Sequence, residues 1–105
     1  MELFDKTRVS IIVEEAFCPD VLRLIDDSGG SGYTVYRGIF GRGKHGQRGE
    51  YGDLDGISGN VEVVTIAGPE VTGRILEGIT TLIDKGVIVI VHLADVRVVR
   101  DDHFA

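Results

Sequence analysis

The sequence predicts an α+β domain in which four strands and two helices follow one another in the order β-α-β-β-α-β. Two segments carry a proline at a tolerated helix start and continue with apolar residues at helical spacing. Four short runs rich in β-branched residues flank these segments. The length of 105 residues suits one domain, and no linker divides the chain, so residues 1–105 are expected to form a single unit.

The first half of the predicted fold is a strand, a helix and a second strand. Arg8–Glu14 is rich in β-branched residues and is predicted as the first strand. Pro19 suits the first turn of the helix, which Gly29 and Gly30 end. The second strand is the aromatic and β-branched run Tyr33–Arg37. The apolar residues at helical spacing are Cys18, Val21, Leu22 and Ile25.

The second half is a strand, a longer helix and a last strand. Val61–Ile66 is predicted as the third strand. The second helix opens at Pro69, and Gly86 is its expected C-cap. Val87–Val91 is a continuous apolar run, which predicts a central strand covered on at least one face and extending as far as Val98.

This order of elements is the split-βαβ, or ferredoxin-like, pattern: a four-stranded antiparallel sheet with both helices on one face. The other face of the sheet stays bare in a single chain. A domain of this size buries only about two-thirds of its unfolded surface, so a ligand site is easier to build between subunits than inside one. We therefore predict association through the bare face of the sheet.

A long irregular segment separates the second and third predicted strands. It runs from Gly38 to Gly59 and contains many of the chain's 15 glycines. A connection of about twenty residues is unusual in a compact domain and is usually functional or disordered. The chain has a net charge of −6, yet no acidic residue lies between Ser28 and Gly49. The cations of this stretch, which predict an anion site, are Arg37, Arg42, Lys44, His45 and Arg48.

Two glycine motifs of nucleotide-binding proteins are nearly present in this loop, but neither fits. Gly41–Gly46 matches G-x-G-x-x-G, and Gly38–His45 misses the P-loop pattern only at its final residue. Both motifs need a helix directly after the glycines, whose N-terminal amides bind phosphate. Gly46–Gly52 cannot begin a stable helix. What remains is a loop whose backbone N–H groups and cations can bind an anion, with a solvated loop without ligand as the alternative.

Composition and motif content disfavour several functional classes. The acidic net charge argues against nucleic-acid binding, and no apolar run reaches the roughly 20 residues of a membrane span. The N-terminus lacks the features of a signal peptide, and the single Cys18 suits a reducing cytoplasm. No nucleophile with an acid–base partner is evident, so we expect neither an enzyme nor a cofactor. Asp101, Asp102 and His103 are interpreted as a solvated tail and not as metal ligands.

Three segments resemble PII signal-transduction proteins. They are Thr34–Val35, the loop sequence Phe40–Gly46 and the ending Arg97–Arg100. PII proteins carry a Gly-Phe-Gly-Arg-x-Lys-Gly stretch at the base of a long T-loop, and this chain reproduces most of it. The resemblance extends from Arg8 to Arg100 and makes residues 38–59 the T-loop.

The resemblance implies a homotrimer with adenine nucleotides in the three clefts between subunits. Thr34 would contact adenine, and Arg100 would reach phosphate from the neighbouring subunit. The nucleotide-binding residues carried over by position are Thr34, Gly41, Arg42, Gly43, Lys44, Arg97 and Arg100. The cations that could hold a second, small anion such as bicarbonate are Arg37, Lys44 and Arg48.

Two departures from PII proteins concern the outer phosphates. The second glycine-and-lysine loop is reduced to Asp84–Val87, and Asp102 stands where PII proteins have an arginine. ADP or AMP should therefore compete well with ATP, and cyclic AMP is a further candidate signal. These departures resemble the carbon-responsive PII-like branch associated with bicarbonate transporters and carboxysome genes. That branch implies control of inorganic-carbon uptake, with a membrane bicarbonate transporter as the partner of the T-loop.

Three alternatives stay open at this point. The first is a nitrogen-type PII regulator, and the second is a trimeric metal-tolerance protein of the same fold, with His92 or His103 as a ligand. An enzyme acting on ATP or an acylphosphate is the third. Tyr51 lies close to a tyrosine motif that is modified in some PII proteins, although the match is one residue short.

Overall fold

The computed structural model describes residues 1–39, 41–43, 46–48 and 59–105, with the backbone alone described for 41–43 and 46–48. The elements follow the predicted order, with a short 3-10 helix (Glu15–Phe17) after the first strand. The strands are β1 (Phe4–Glu14), β2 (Thr34–Ile39), β3 (Gly41–Gly43), β4 (Gly46–Arg48), β5 (Asn60–Ala67) and β6 (Ile90–Val98), and the helices are α1 (Cys18–Asp27) and α2 (Pro69–Asp84).

Four of the strands form one antiparallel sheet in the order β2-β5-β1-β6. This is the strand order of the ferredoxin-like fold, so the predicted α+β class and architecture are confirmed. Among the described residues, the two short strands β3 and β4 pair with each other alone, with Gly41 opposite Arg48 and Gly43 opposite Gly46. This short ladder lies inside the segment that the sequence predicts to be irregular.

The prediction for the last strand is wrong in two respects. β6 begins at Ile90 and not at Val87, and it lies at the edge of the sheet, whereas β1 and β5 form the central pair. The apolar run Val87–Val91 therefore has another cause than a central position in the sheet. Val89 and Val91 pack against the core, while Ile88 and Ile90 remain 38% and 39% exposed. A continuous apolar run therefore marks a segment with one face in the core and the other on the open face of the domain.

One face of the sheet packs against both helices. Val9, Ile11 and Val13 alternate along β1 toward the helices and are fully buried. Val61 and Val63 of β5 pair with Val13 and Ile11 and complete the centre of this layer. Burial of each such side chain contributes about 1.5–3 kcal/mol. The helix residues that cover them are Val21, Ile25, Ile75 and Ile79.

The other face of the sheet is open in the single chain. Thr34, Val64, Ser10 and His92 lie side by side across its four strands. Tyr36 of β2 is 51% exposed on the same face. The central pair is better covered on this face: Ser10 is fully buried, and its hydroxyl donates a 2.5 Å hydrogen bond to the Glu62 carboxylate. The open face combines exposed apolar and polar side chains, and association through it stays a prediction.

The two helices approach closely at Gly78 of α2. A Cβ atom at this position would clash with Cδ1 of Leu24 in α1, whereas a Cβ at Gly73 would meet nothing within 4 Å. Close contact between the helices thus requires a glycine at Gly78 of α2, whereas Gly73 has room for a larger side chain.

We predict different effects of alanine at these two glycines. Gly73→Ala should raise the free energy of unfolding by about 1 kcal/mol, because alanine is the better helix former. Gly78→Ala gains the same propensity but displaces Leu24, so it should be about 1–3 kcal/mol less stable than Gly73→Ala. Urea denaturation at one protein concentration measures the difference. Equal stability of the two variants would contradict the close helix contact.

Candidate functional site

Both ends of the long loop are held at one end of the sheet. β2 leads into the loop and β5 leaves it, and these strands are neighbours in which Ile39 pairs with Asn60. The register of the pair shifts between Arg37 and Ile39, and Gly38 takes a φ of 70° there. This positive φ favours glycine and is typical of a β-bulge, which bends the strand where the loop begins.

Glu15 ties the two ends of the loop together. Its backbone N–H donates a 2.8 Å hydrogen bond to the carbonyl of Gly59, the residue before β5. Its carboxylate accepts a hydrogen bond from the guanidinium of Arg37, near the end of β2. We call Glu15, Arg37 and Gly59 the loop base. Arg37, predicted as an anion ligand, therefore already has an acidic partner.

A thiol and an amide lie near the loop base. Cys18 is buried at the start of α1, and this burial raises the pKa of its thiol. The positive charge of Arg37 opposes the rise and the negative charge of Glu15 adds to it. A buried, protonated thiol is a poor nucleophile, so Cys18 acts as a core residue. The Asn60 side chain is also buried, and its Nδ2 has no hydrogen-bond partner among the described residues.

A groove of about 300 Å³ opens beside the start of β2. One side is the segment 31–34, the floor is Val64–Ile66 of β5, and the far side is His103 with Phe104. The hydroxyl of Thr65 donates a 2.6 Å hydrogen bond to the carbonyl of Gly32, which fixes the segment before the strand. Thr34, predicted to contact adenine, is among the lining residues.

The far side of the groove belongs to the C-terminal residues Asp101–Ala105, which we call the C-terminal hook. Lys6 Nζ lies 2.9 Å from Oδ1 of Asp101, and the Lys6 side chain is only 10% exposed. The backbone N–H of Gly68 donates a 2.8 Å hydrogen bond to the carbonyl of Ala105. A Cβ at Gly68 would clash with that oxygen, so glycine is needed there. Asp101, Asp102 and His103 are exposed, as predicted for a solvated tail, but an ion pair and a backbone hydrogen bond also hold this segment against the domain.

The other predicted site residues are spread over two places. Gly41, Arg42 and Gly43 form β3, and only their backbone is described; Arg48 likewise lies in β4. Lys44 lies outside the described residues. Arg97 pairs with Asp5 at the end of β6, and Arg100 is exposed just before the hook. The predictions for these residues therefore stay predictions.

The histidines of the metal alternative lie apart in the fold. His92 is on the open face of the sheet, and His103 contacts Phe104 in the hook. Within residues 1–39 and 59–105, no three His, Cys, Asp or Glu side chains are grouped as metal ligands would be. The helices of the described chain are also too short or too polar for any of them to span a membrane.

Sequence and structure comparisons agree on the relatives of this chain. CPII from Thiomonas intermedia K12, bound to ADP, AMP and bicarbonate, matches with a TM-score of 0.88 at 24% identity, over 98% of this chain and 96% of that one. CPII bound to ADP and bicarbonate matches with a TM-score of 0.84 at 26% identity, over 99% and 98%. A PII-like signalling protein from Thermus thermophilus matches over the full length of both chains, with a TM-score of 0.75 at 25% identity.

The family assignment comes from the sequence itself. No curated protein matches this chain. The sequence model of the family described as nitrogen regulatory protein P-II matches residues 6–103, almost the whole chain. The solved structures above belong to the PII-like branch of the same superfamily. The chain is a member of the P-II family and is similar in architecture to its CPII-like proteins.

Proposed function

We propose that this protein is a non-enzymatic cytoplasmic regulator that senses adenine nucleotides, with ADP and AMP preferred, in clefts between the subunits of a homotrimer. The observation that carries the proposal is the groove beside β2. It contains Thr34, the residue carried over as an adenine contact, in a member of the P-II family. Two similar structures are of CPII bound to ADP, which supports the same ligand class for this chain.

The open face of the sheet supports the subunit arrangement. Tyr36 and Ile90 lie exposed on the two edge strands of this face. A trimer would cover such side chains and gain the free energy of burying them. It would also bring a second chain against the groove and the long loop, so that each cleft is completed by two subunits.

The connection before β6 supports the preference for short phosphates. α2 ends at Asp84 and β6 begins at Ile90, so few residues join them. This connection contains one cation, Lys85, and the C-terminal hook carries Asp101 and Asp102. Few positive charges are then available to the β- and γ-phosphates, while each phosphate adds negative charge. This shortage of cations should therefore weaken the binding of ADP and AMP less than the binding of ATP.

Bicarbonate is the proposed second ligand, and inorganic-carbon uptake is the proposed process. The cationic stretch with Arg37, Lys44 and Arg48 supports binding of a small anion next to the nucleotide. Two structures of the similar protein CPII contain ADP together with bicarbonate. The T-loop would change shape with the bound ligands and engage a membrane bicarbonate transporter. Tight binding of Mg-ATP with 2-oxoglutarate would instead establish a nitrogen-type regulator.

The nucleotide proposal predicts losses at the cations of the loop. Arg42→Ala and Lys44→Ala should each weaken ADP binding by about 1.5–3 kcal/mol, because each removes a charge-assisted hydrogen bond to phosphate. Isothermal titration calorimetry with AMP, ADP, ATP and cyclic AMP measures the affinities. Arg23→Ala is the matched control, since Arg23 is an exposed cation of α1 paired with Asp20. An affinity for every adenine nucleotide weaker than millimolar would refute the proposal.

The ion pair of the loop base predicts that one substitution tightens the binding of bicarbonate. Because the Glu15 carboxylate neutralises Arg37, Glu15→Gln should free the guanidinium and tighten bicarbonate binding about two- to fivefold at saturating ADP. Asp20→Asn removes the same charge from α1 without removing the partner of Arg37 and serves as the control. Equal affinities of the two variants would show that Arg37 does not bind the anion.

A further inference from the structure

We infer that the C-terminal hook forms an aromatic wall of the groove, in which Phe104, backed by His103, selects a flat heteroaromatic base. This inference rests on the proposed function and adds to it the element that recognises the base. No motif in the sequence points to these two residues. Their role follows from where the hook is held, how the two rings meet and what lies opposite them.

Contacts with the rest of the domain fix the hook on both sides of Phe104. Before it, Asp101 is paired with the nearly buried Lys6 of β1. After it, the carbonyl of Ala105 accepts the hydrogen bond from Gly68, in the turn between β5 and α2. Within the hook, the N–H of Phe104 donates a 3.3 Å hydrogen bond to the carbonyl of Asp101 and closes a turn. A segment held at both ends places its middle side chain in a defined position, as a binding wall requires.

The two rings support each other. Their centroids are 4.7 Å apart and their planes meet at 79°, the edge-to-face arrangement that aromatic pairs favour. His103 is exposed and Phe104 is partly buried. Both residues line the groove, and Phe104 keeps part of its surface exposed. The proposal places that part of the ring against a molecule in the groove.

The opposite surfaces suit a planar molecule with polar edges. Val64 and Ile66 are apolar lining residues from β5, while Thr34 and residues 31–33 add polar groups to the lining. A volume of about 300 Å³ is at the lower end for small-molecule sites. Apolar walls with polar groups at one edge fit a nucleobase, which stacks through its faces and hydrogen-bonds through its rim.

Recognition of the base has a consequence that phosphate recognition does not have. Removing the Phe104 ring should weaken the binding of AMP, ADP and ATP by the same factor, because all three carry the same base. Stacking of a base on an aromatic side chain contributes enough to predict a loss of about 5- to 100-fold. Bicarbonate and pyrophosphate have no base, so their affinities should stay within about twofold of the wild-type values.

The test is calorimetric titration of the full chain and four variants with AMP, ADP, pyrophosphate and bicarbonate. Phe104→Ala removes the ring, Phe104→Tyr keeps it, and Phe104→Leu keeps apolar bulk without aromaticity. Asp101→Asn loosens the hook by removing its ion pair with Lys6. We expect losses for AMP and ADP in Phe104→Ala and Phe104→Leu, near wild-type affinity in Phe104→Tyr and a smaller loss in Asp101→Asn. Thermal unfolding of each variant shows whether the fold is retained.

Two results would overturn the inference while the proposed function stands. One is that wild type and Phe104→Ala bind ADP with affinities within about twofold of each other. The other is that Phe104→Leu binds ADP as tightly as wild type, because apolar bulk alone would then suffice. If the wild-type protein binds no adenine nucleotide, the proposed function itself fails, and the inference fails with it.

Discussion

A four-stranded sheet with both helices on one side can bury only half of its side chains within a single chain. In this protein, the buried half centres on the pairing of β1 with β5, where Val9, Ile11, Val61 and Val63 are fully covered. Every other feature depends on this one-sided layer. It holds the edge strands β2 and β6 in place while leaving their second face open, and the groove and the loop base lie at the ends of those same strands.

The long loop is compatible with a stable domain because its ends are fixed independently of its interior. Pairing of Ile39 with Asn60 and the two hydrogen bonds of Glu15 hold the ends next to each other. The entropy of closing a loop grows only slowly with its length, so a long insertion costs little more than a short one. A long connection between β2 and β5 is therefore compatible with the stability of the domain.

The ends of the chain's elements show what a single sequence can and cannot predict. The sequence predicts α2 from Pro69 to a last turn at Lys85, and the helix ends at Asp84, because proline and glycine mark helix ends through local geometry. β1 begins at Phe4 and not at Arg8, because its polar first residues are held by pairing with β6, far along the chain. The position of β6 at the sheet edge was not predictable from its apolar run, since an exposed apolar face produces the same pattern as a covered strand.

Some residues of the candidate site could likewise be predicted from sequence, and others could not. Thr34 and the cationic loop could be predicted as site residues from sequence because family resemblance and charge clustering are visible along the chain. Glu15 and the C-terminal hook were missed, because each acts through partners distant in sequence. Glu15 reaches Arg37 and Gly59, and Asp101 reaches Lys6. An acidic C-terminal segment predicts a solvated tail unless its cationic partner is known, and only the fold brings Lys6 to it.

The most direct test of the central claim is a crystal structure of the protein grown with ADP. The account predicts a homotrimer with one ADP in each cleft between two subunits. The adenine should lie in the groove beside Thr34. The phosphates of ADP should be directed toward Arg42 and Lys44. ADP bound elsewhere on the chain, or a bare sheet face that contacts no other subunit, would contradict it.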